Sequence, residues 1–458
     1  MQSKSILLPA SLRYSRRDFL RFAGFVAGGA TLAACTPMTT APAAQPAESE
    51  AAAPAAEAVT LRFQNWFNES DMQSWQIGLD RFQQERPDVE LKLEFADWGD
   101  TITSVMAGAA AGNLPDIIMA SDSHVPPLAA ELLLMDLNPF IEKDPDVNVD
   151  DFAQGVSLGF TVWDRWWGFP YDQSTYGIYY NKDIFDAAGI DYPPSEDGQQ
   201  WSLEQFIEIA KALTKPDGEQ WGILTNGGDY LASAFIYGAG GRLYDDEGRT
   251  CLIDSAEAAE GAQFMVDLVH THKVAPTAAE LAGGGINYFT AGLAAMEFQG
   301  QWDLQSKNAE VEANFDIGFL PLGKNKITVT GGSGFCTSAQ SQHPDEAWAF
   351  LKSYTSSETL AEMVGRPGRG IPARWSATPA YLEAGGKAAH PDVFIKQLEW
   401  AFTDRSTLAS FEFENSWSRH YGAIYETGEG DVATALATIA EETNKALEEK
   451  WKSVKLDI

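Results

Sequence analysis

Apolar and polar residues alternate along Val59–Asn65, the period of a half-buried strand. A helical period follows from Ser70 to Glu85, with Trp75, Leu79 and Phe82 on one face and Pro87 ending the run. Val89, Leu91, Leu93 and Phe95 mark a second alternating strand with those four side chains inward. Trp98 to Ala111 reads as an Ala-rich helix, and Pro115–Ala120 as a short buried strand. A second series contains apolar strands at Gly177–Tyr180, Trp221–Leu224 and Ala294–Phe298. Between the first two, Ser202 and Gln205 form a capping box for a helix whose buried stripe is Leu203, Phe206, Ile207, Ala210 and Leu213. Gly240-Gly241 reads as a helix stop. Pro344 to Thr355 reads as a helix with Pro in its first turn, and Asp431 to Lys450 as a long closing helix. Strands that alternate with helices predict βαβ units and largely parallel sheets. Two such series predict two α/β lobes.

The first 58 residues break this pattern. Ser15-Arg16-Arg17-Asp18-Phe19-Leu20-Arg21 reads as a twin-arginine export signal built on Arg16 and Arg17. The apolar run from Phe22 to Ala34 is shorter than the ~20 residues that span a bilayer, and suits the core of a cleaved signal. Leu32-Ala33-Ala34-Cys35 reads as a lipobox with Cys35 as the lipidated residue. Residues 36–58 lack aromatic residues and bury too little to offset ordering entropy. The expected organisation is a signal at 1–34 and a disordered tether at 35–58. Two lobes follow, lobe 1 from 59–172 and 322–368, and lobe 2 from 173–321 and 369–458. The mature protein is expected to be lipid-anchored on the outer face of the cytoplasmic membrane or in the periplasm.

Charge narrows the partners. The chain has 65 Asp+Glu against 32 Lys+Arg, a net charge of −33. Such a field repels nucleic acid and anionic lipid, so no nucleic-acid partner is expected. Cys251 and Cys336 either pair or sit as separate buried thiols. His270 and His272 read as solvent-exposed, and no Cys/His cluster has zinc-ligand spacing, so no metal and no cofactor is expected.

Gly168-Phe169-Pro170-Tyr171 and Gly177-Ile178-Tyr179-Tyr180-Asn181-Lys182-Asp183-Ile184-Phe185 resemble the family 1 extracellular solute-binding proteins of ABC transporters, the maltose-type sugar receptors. Asn113–Ile118, Tyr288–Met296 with Gly300-Gln301-Trp302, and Leu320-Pro321 before Gly331-Gly332-Ser333 resemble further pieces of that family in the same order. The resemblance runs from residue 59 to about 375 and thins towards Ile458. It implies a type II periplasmic-binding-protein fold: two lobes of mixed, mostly parallel sheets flanked by helices. Three crossings would join the lobes, near Tyr171–Tyr176, Leu320–Lys324 and Arg366–Pro372. It also implies a monomeric, non-enzymatic receptor that closes on a sugar or oligosaccharide and delivers it to ABC permease subunits. Ser121-Asp122-Ser123-His124 departs from the charged pattern of maltose receptors, which leaves the sugar open.

A sugar needs aromatic rings for its C–H faces and carboxylates or amides for its hydroxyls. In open α/β sheets ligands sit beyond the carboxyl ends of strands. Asn65 with Trp66, Asp97 with Trp98, and Ser121 with Asp122 follow the first three strands and are expected to converge. Trp302 is assigned as a stacking platform and Tyr171 as a contact at the first crossing. Asn226, Asp229 and Tyr230 are the second lobe's polar contribution. Gly332 and Ser333 offer backbone N–H groups, and Arg366 and Arg369 lie at the third crossing. Among Trp163, Trp166 and Trp167, one is expected in the core and one at the cleft rim. The alternative roles are core packing for the tryptophans, helix capping for Asp97 and Asp122, a tight turn for the glycines and surface ion pairs for the arginines. Two rival functions remain: a ferric-iron receptor using Tyr179 and Tyr180, and a surface glycoside hydrolase using two carboxylates.

Overall fold

The computed structural model describes residues 58–454 apart from 69–70, 283–286, 385 and 404–406. Arg16, Arg17, Cys35 and nearly all of the expected tether lie outside the described residues. Two main sheets form the frame. The first has five strands in the order Val89–Phe95, Val59–Asn65, Ile117–Ser121, Ser333–Thr337, Gly168–Pro170. Its first three strands are parallel, and Ser333–Thr337 runs antiparallel to both neighbours. The second has four strands in the order Phe315–Gly318, Tyr176–Asn181, Ala294–Gly300, Trp221–Leu224. Here Tyr176–Asn181 is antiparallel to both neighbours, while Ala294–Gly300 and Trp221–Leu224 are parallel.

Each sheet has its own core. Phe63, Trp75, Phe82, Phe335, Phe350 and Tyr354 pack in the first lobe, with Met72–Glu85 and Pro344–Tyr354 supplying helical faces. Ile178, Tyr180, Phe206, Phe235, Met296 and Phe298 pack in the second, joined by Leu436, Ile439 and Leu447 of the closing helix Val432–Ser453. The capping box at Ser202 is formed in both directions. Gly240 ends Asp229–Ala239 at φ 103°, the left-handed conformation a helix stop uses.

Several expectations change. Phe95 is the last residue of the edge strand and is 60% exposed, so it does not share the burial of Val89 at the strand's start. Trp98–Asp100 is a 3-10 turn, and the α-helix behind it is Thr101–Ala111. His270 is half-buried, with Nε2 2.8 Å from the Tyr425 carbonyl, and His272 is also half-buried. Cys251 and Cys336 are buried in different cores and are not paired with each other.

The hinge lies where three segments meet. Asp172–Gln173 pairs antiparallel with Ile371–Pro372, and Ser174 bridges to Gly331. The second crossing was expected at Leu320–Lys324. Instead Leu320 packs in the second core, Leu322 bridges to Ser202, and Thr328–Val329 pairs with Ala401–Phe402. The chain therefore stays with the second lobe until about Thr330 and enters the first sheet at Ser333.

Candidate functional site

Between the lobes lies a cavity of about 440 Å³. Trp66, Trp98, Ser121, Asp122 and Ser123 line it from the first lobe, and Gly228, Asp229, Tyr230 and Trp302 from the second. Tyr171, Asp172, Ser174, Tyr176, Gly332, Ser333 and Arg369 line it near the hinge. Most of these positions follow strand ends, because a strand's last residue is held by the ladder while the next turns out over the sheet edge.

The aromatic surfaces are fixed by their neighbours. Trp302 meets Tyr176 edge-on at 5.1 Å and lies nearly parallel to Tyr230 at 6.2 Å. The Tyr230 hydroxyl is 2.7 Å from the Ser174 hydroxyl and donates to the Ser174 carbonyl at 3.1 Å, which ties the second lobe to the hinge. On the opposite side, Trp98 Nε1 donates to the Ser121 hydroxyl at 3.2 Å. Tyr171 is buried, stacked on Phe335 at 5.3 Å and edge-on to Trp75 at 5.1 Å, so it serves the core and the cavity together.

The polar groups cluster around the Gly331-Gly332-Ser333 turn. Asp172 is 4% exposed, and its carboxylate accepts from Ser333 N–H at 2.8 Å and from Gln301 Nε2 at 3.3 Å. Burial lifts its carboxyl to about 7, against the Ser333 N–H and the Arg369 charge, which pull it down. Asp122 is 2% exposed and accepts from Ser123 N–H at 2.9 Å. A Cβ on Gly332 would stand 2.3 Å from the Asp172 carbonyl oxygen, so only glycine allows this approach. Arg369 donates through Nε to Asp71 at 2.8 Å and lies 5.1 Å from the Trp75 ring.

The cavity thus gathers Trp66, Asp122, Tyr171, Asp229, Trp302, Gly332, Ser333 and Arg369 from the sequence-predicted set, together with Tyr230. Four others are elsewhere. Asn65 is buried and bridges the Phe63 carbonyl and Phe67 N–H. Asp97 is exposed, and its carbonyl accepts from the N–H groups of Asp100 and Thr101. Asn226 is exposed and accepts from Gly228 N–H at 3.0 Å. Arg366 pairs with Glu362 and Glu383 on the surface. None of Trp163, Trp166 and Trp167 rims the cavity: Trp167 is buried, and Trp163 packs edge-on to Trp451 at 6.3 Å. Asp172, Ser174 and Tyr176 also line the cavity and were not singled out from the sequence. Their signal was the polar run between two tyrosines at the first crossing.

Lobe-to-lobe hydrogen bonds flank the cavity. Ser123 Oγ donates to Glu414 at 3.3 Å, and Ser74 Oγ to Gln305 at 3.0 Å. Tyr179 and Tyr180 do not line it; they are buried on opposite faces of the second sheet, and the Tyr179 hydroxyl donates to the Gly300 carbonyl at 3.1 Å. Adjacent residues on a strand point to opposite faces, so this pair cannot converge on one iron. Among the described residues no cluster of three or more His, Cys, Asp or Glu is placed to hold a metal. No described helix is long and apolar enough to cross a membrane.

The sequence profile of the bacterial extracellular solute-binding proteins matches residues 66–361. The chain belongs to that family. This solute-binding protein is 22% identical over 281 residues to the lactose-binding protein of Rhizobium radiobacter, an alignment covering 59% of this chain and 64% of that one. It is 22% identical over 366 residues to the maltodextrin-binding protein of Bacillus subtilis, covering 77% and 82%. Its fold matches an ABC substrate-binding protein from Listeria monocytogenes in complex with cycloalternan, with a TM-score of 0.79 at 20% identity, covering 85% of this chain and 99% of that one. The two-lobed architecture is therefore that of the ABC substrate-binding proteins.

Proposed function

We propose that this solute-binding protein captures a sugar or oligosaccharide between its lobes and delivers it to the membrane subunits of an ABC importer. The observation that carries this reading is one cavity lined by Trp66 and Trp98 from one lobe and by Trp302 and Tyr230 from the other, with Asp122, Ser123 and Asp229 also in its lining. Aromatic rings take the C–H faces of a sugar, and carboxylates and hydroxyls take its hydroxyl groups. The relatives named for lactose and maltodextrin, and the neighbour bound to cycloalternan, favour the same class.

Binding and closure are one step in this mechanism. Ligand held by both lobes stabilises the arrangement in which Ser123 meets Glu414 and Ser74 meets Gln305. The short hinge pairs at Asp172–Gln173 and Ile371–Pro372 let the lobes rotate as rigid bodies. No bond in the ligand is broken. The protein acts as a monomer, exported by the twin-arginine signal at Arg16 and Arg17 and anchored by lipid on Cys35.

A thermal-shift screen of the purified protein against mono- and oligosaccharides tests the reading. A ligand that binds only the folded state adds ~2.7 kcal/mol at a hundredfold excess over Kd. A shift confined to one sugar series supports the proposal. Silence across all sugars, with a shift from another solute class, sinks it.

A further inference from the structure

Lys307 is the one buried lysine among the described residues. Its Nζ lies 2.6 Å from Oε2 of Glu297, which is also buried, and 3.1 Å from Oδ2 of Asp303. Asn287 Nδ2 donates to the other Glu297 oxygen at 3.1 Å, and the Lys307 ammonium stands 5.4 Å from the centre of the Phe289 ring. The three charges come from three consecutive elements. Glu297 belongs to the strand Ala294–Gly300, Asp303 to the 3-10 turn Gln301–Asp303, and Lys307 to the helix Leu304–Glu310. Asp303 occupies the N-cap position of that helix, yet its side chain caps no helix N–H. It is spent on Lys307 instead. On the neighbouring strand Tyr179, the register partner of Glu297, donates its hydroxyl to the Gly300 carbonyl and holds the strand's end. Trp302 stands inside this set of ties, two residues after Gly300 and one before Asp303.

A buried ion pair is a poor way to gain stability. Taking both charges out of water offsets most of their attraction, and apolar side chains of similar volume often serve as well or better. Burial lifts the Glu297 carboxyl above the usual carboxylate range against the pull of Lys307. Apolar contact, however, has no direction. One ammonium shared by two carboxylates fixes the spacing of strand, turn and helix at once. We propose that Lys307, acting through Asp303, is a positioning residue for Trp302: it staples the turn that lays the indole over Gly300 and so sets the face that the ring presents to the cavity. The inference rests on the sugar-receptor reading above, in which Trp302 meets the ligand. Glu297, Asp303 and Lys307 do not line the cavity, so any effect they have on a bound sugar is exerted through the turn and not by contact.

Three variants test this. Asp303→Ala cuts the turn from the staple and leaves the buried Lys307–Glu297 pair intact; the Asp303 side chain is 24% exposed, so the protein should melt close to wild type. Asp303→Asn keeps an oxygen that can accept from Lys307. The double variant Glu297→Leu/Lys307→Met removes the buried charges without leaving either unpaired. Each protein is labelled with 5-fluorotryptophan, and the fluorine resonance of Trp302 is assigned by its loss in Trp302→Phe. Each is also titrated calorimetrically with lactose and with maltotriose. In Asp303→Ala and in the double variant the Trp302 resonance should shift or broaden in ligand-free protein, and binding should weaken roughly threefold to tenfold, the scale of one misplaced aromatic contact. Asp303→Asn should match wild type in both. A network that only supports the fold would lower the melting temperature with the resonance unmoved and the affinity unchanged, and that result overturns the proposal. A moved resonance with unchanged affinity overturns it too, because the ring is then not set for the ligand. If wild-type protein binds neither sugar, the failure lies with the receptor reading, and the resonance decides the staple separately: movement in Asp303→Ala supports it and an unmoved signal overturns it.

Discussion

The indole of Trp302 lies directly against the α-carbon of Gly300: a Cβ built there would stand 2.1 Å from the ring. Gly300 has φ −84°, so glycine is required here for space rather than for backbone conformation. The strand ends on Gly300, and the chain folds back to lay Trp302 beside Tyr176 and Tyr230. Gly300→Ala should push the ring out of this arrangement. The expected cost is ~1–3 kcal/mol of stability with at least a tenfold loss of ligand affinity, read by denaturation and titration. Unchanged affinity in Gly300→Ala would mean that Trp302 is not a platform for the ligand.

Arg366 and Arg369 are three residues apart and do different work. Arg369 and Asp71 form a nearly buried pair at 2.8 Å, with side chains 10% and 7% exposed. Arg369→Met leaves Asp71 as an unpaired charge beside Trp75 and should cost ~3–5 kcal/mol. Arg366 pairs with Glu362 and Glu383 in solvent, and Arg366→Ala should change stability by less than ~1 kcal/mol. Urea denaturation of both variants measures the contrast. Equal, small effects would mean that the Asp71 charge is relieved without Arg369.

That contrast also marks how far sequence reasoning reached. Alternation and capping sufficed for Val59–Asn65, the Ser202 helix and the strand behind Trp302, because those signals are local. The rule that ligands sit past strand ends pointed to Trp66, Asp122 and Trp302, which line the cavity. Arg366 and Arg369 could not be separated, because Asp71 is 298 residues from Arg369. Ser174 was missed for the same reason: its role depends on pairing with Gly331 and on Tyr230 reaching back to the hinge. Glu414 meets Ser123 across 291 residues of chain, where no local pattern points to a cleft.

Cys251 and Cys336 should not respond to mild redox change. They are buried in separate lobes, and burial pushes the Cys336 thiol well above its ordinary range. The melting temperature is expected to be the same with and without dithiothreitol. A fall on reduction would require a disulfide that this packing does not permit.

Asp172 should make stability depend on pH in a direction opposite to that of an ordinary paired carboxylate. Its carboxyl is lifted by burial to about 7, whereas an unfolded Asp titrates near ~4. The folded state therefore binds the proton more tightly than the unfolded state. Asp172 adds to stability below about pH 4, and that contribution is lost as pH rises through about 7. Asp172→Asn cannot ionise, and its side-chain oxygen can still accept from Ser333 N–H. Its amide would face Gln301 Nε2, the present donor to Asp172, which gives a constant cost independent of pH. The difference in unfolding free energy between variant and wild type should move in the variant's favour by a few kcal/mol from pH 4 to pH 8. Denaturation curves at pH 4, 6 and 8 measure it. Parallel pH profiles would show that Asp172 titrates in the usual carboxylate range, with the hinge holding its charge without penalty.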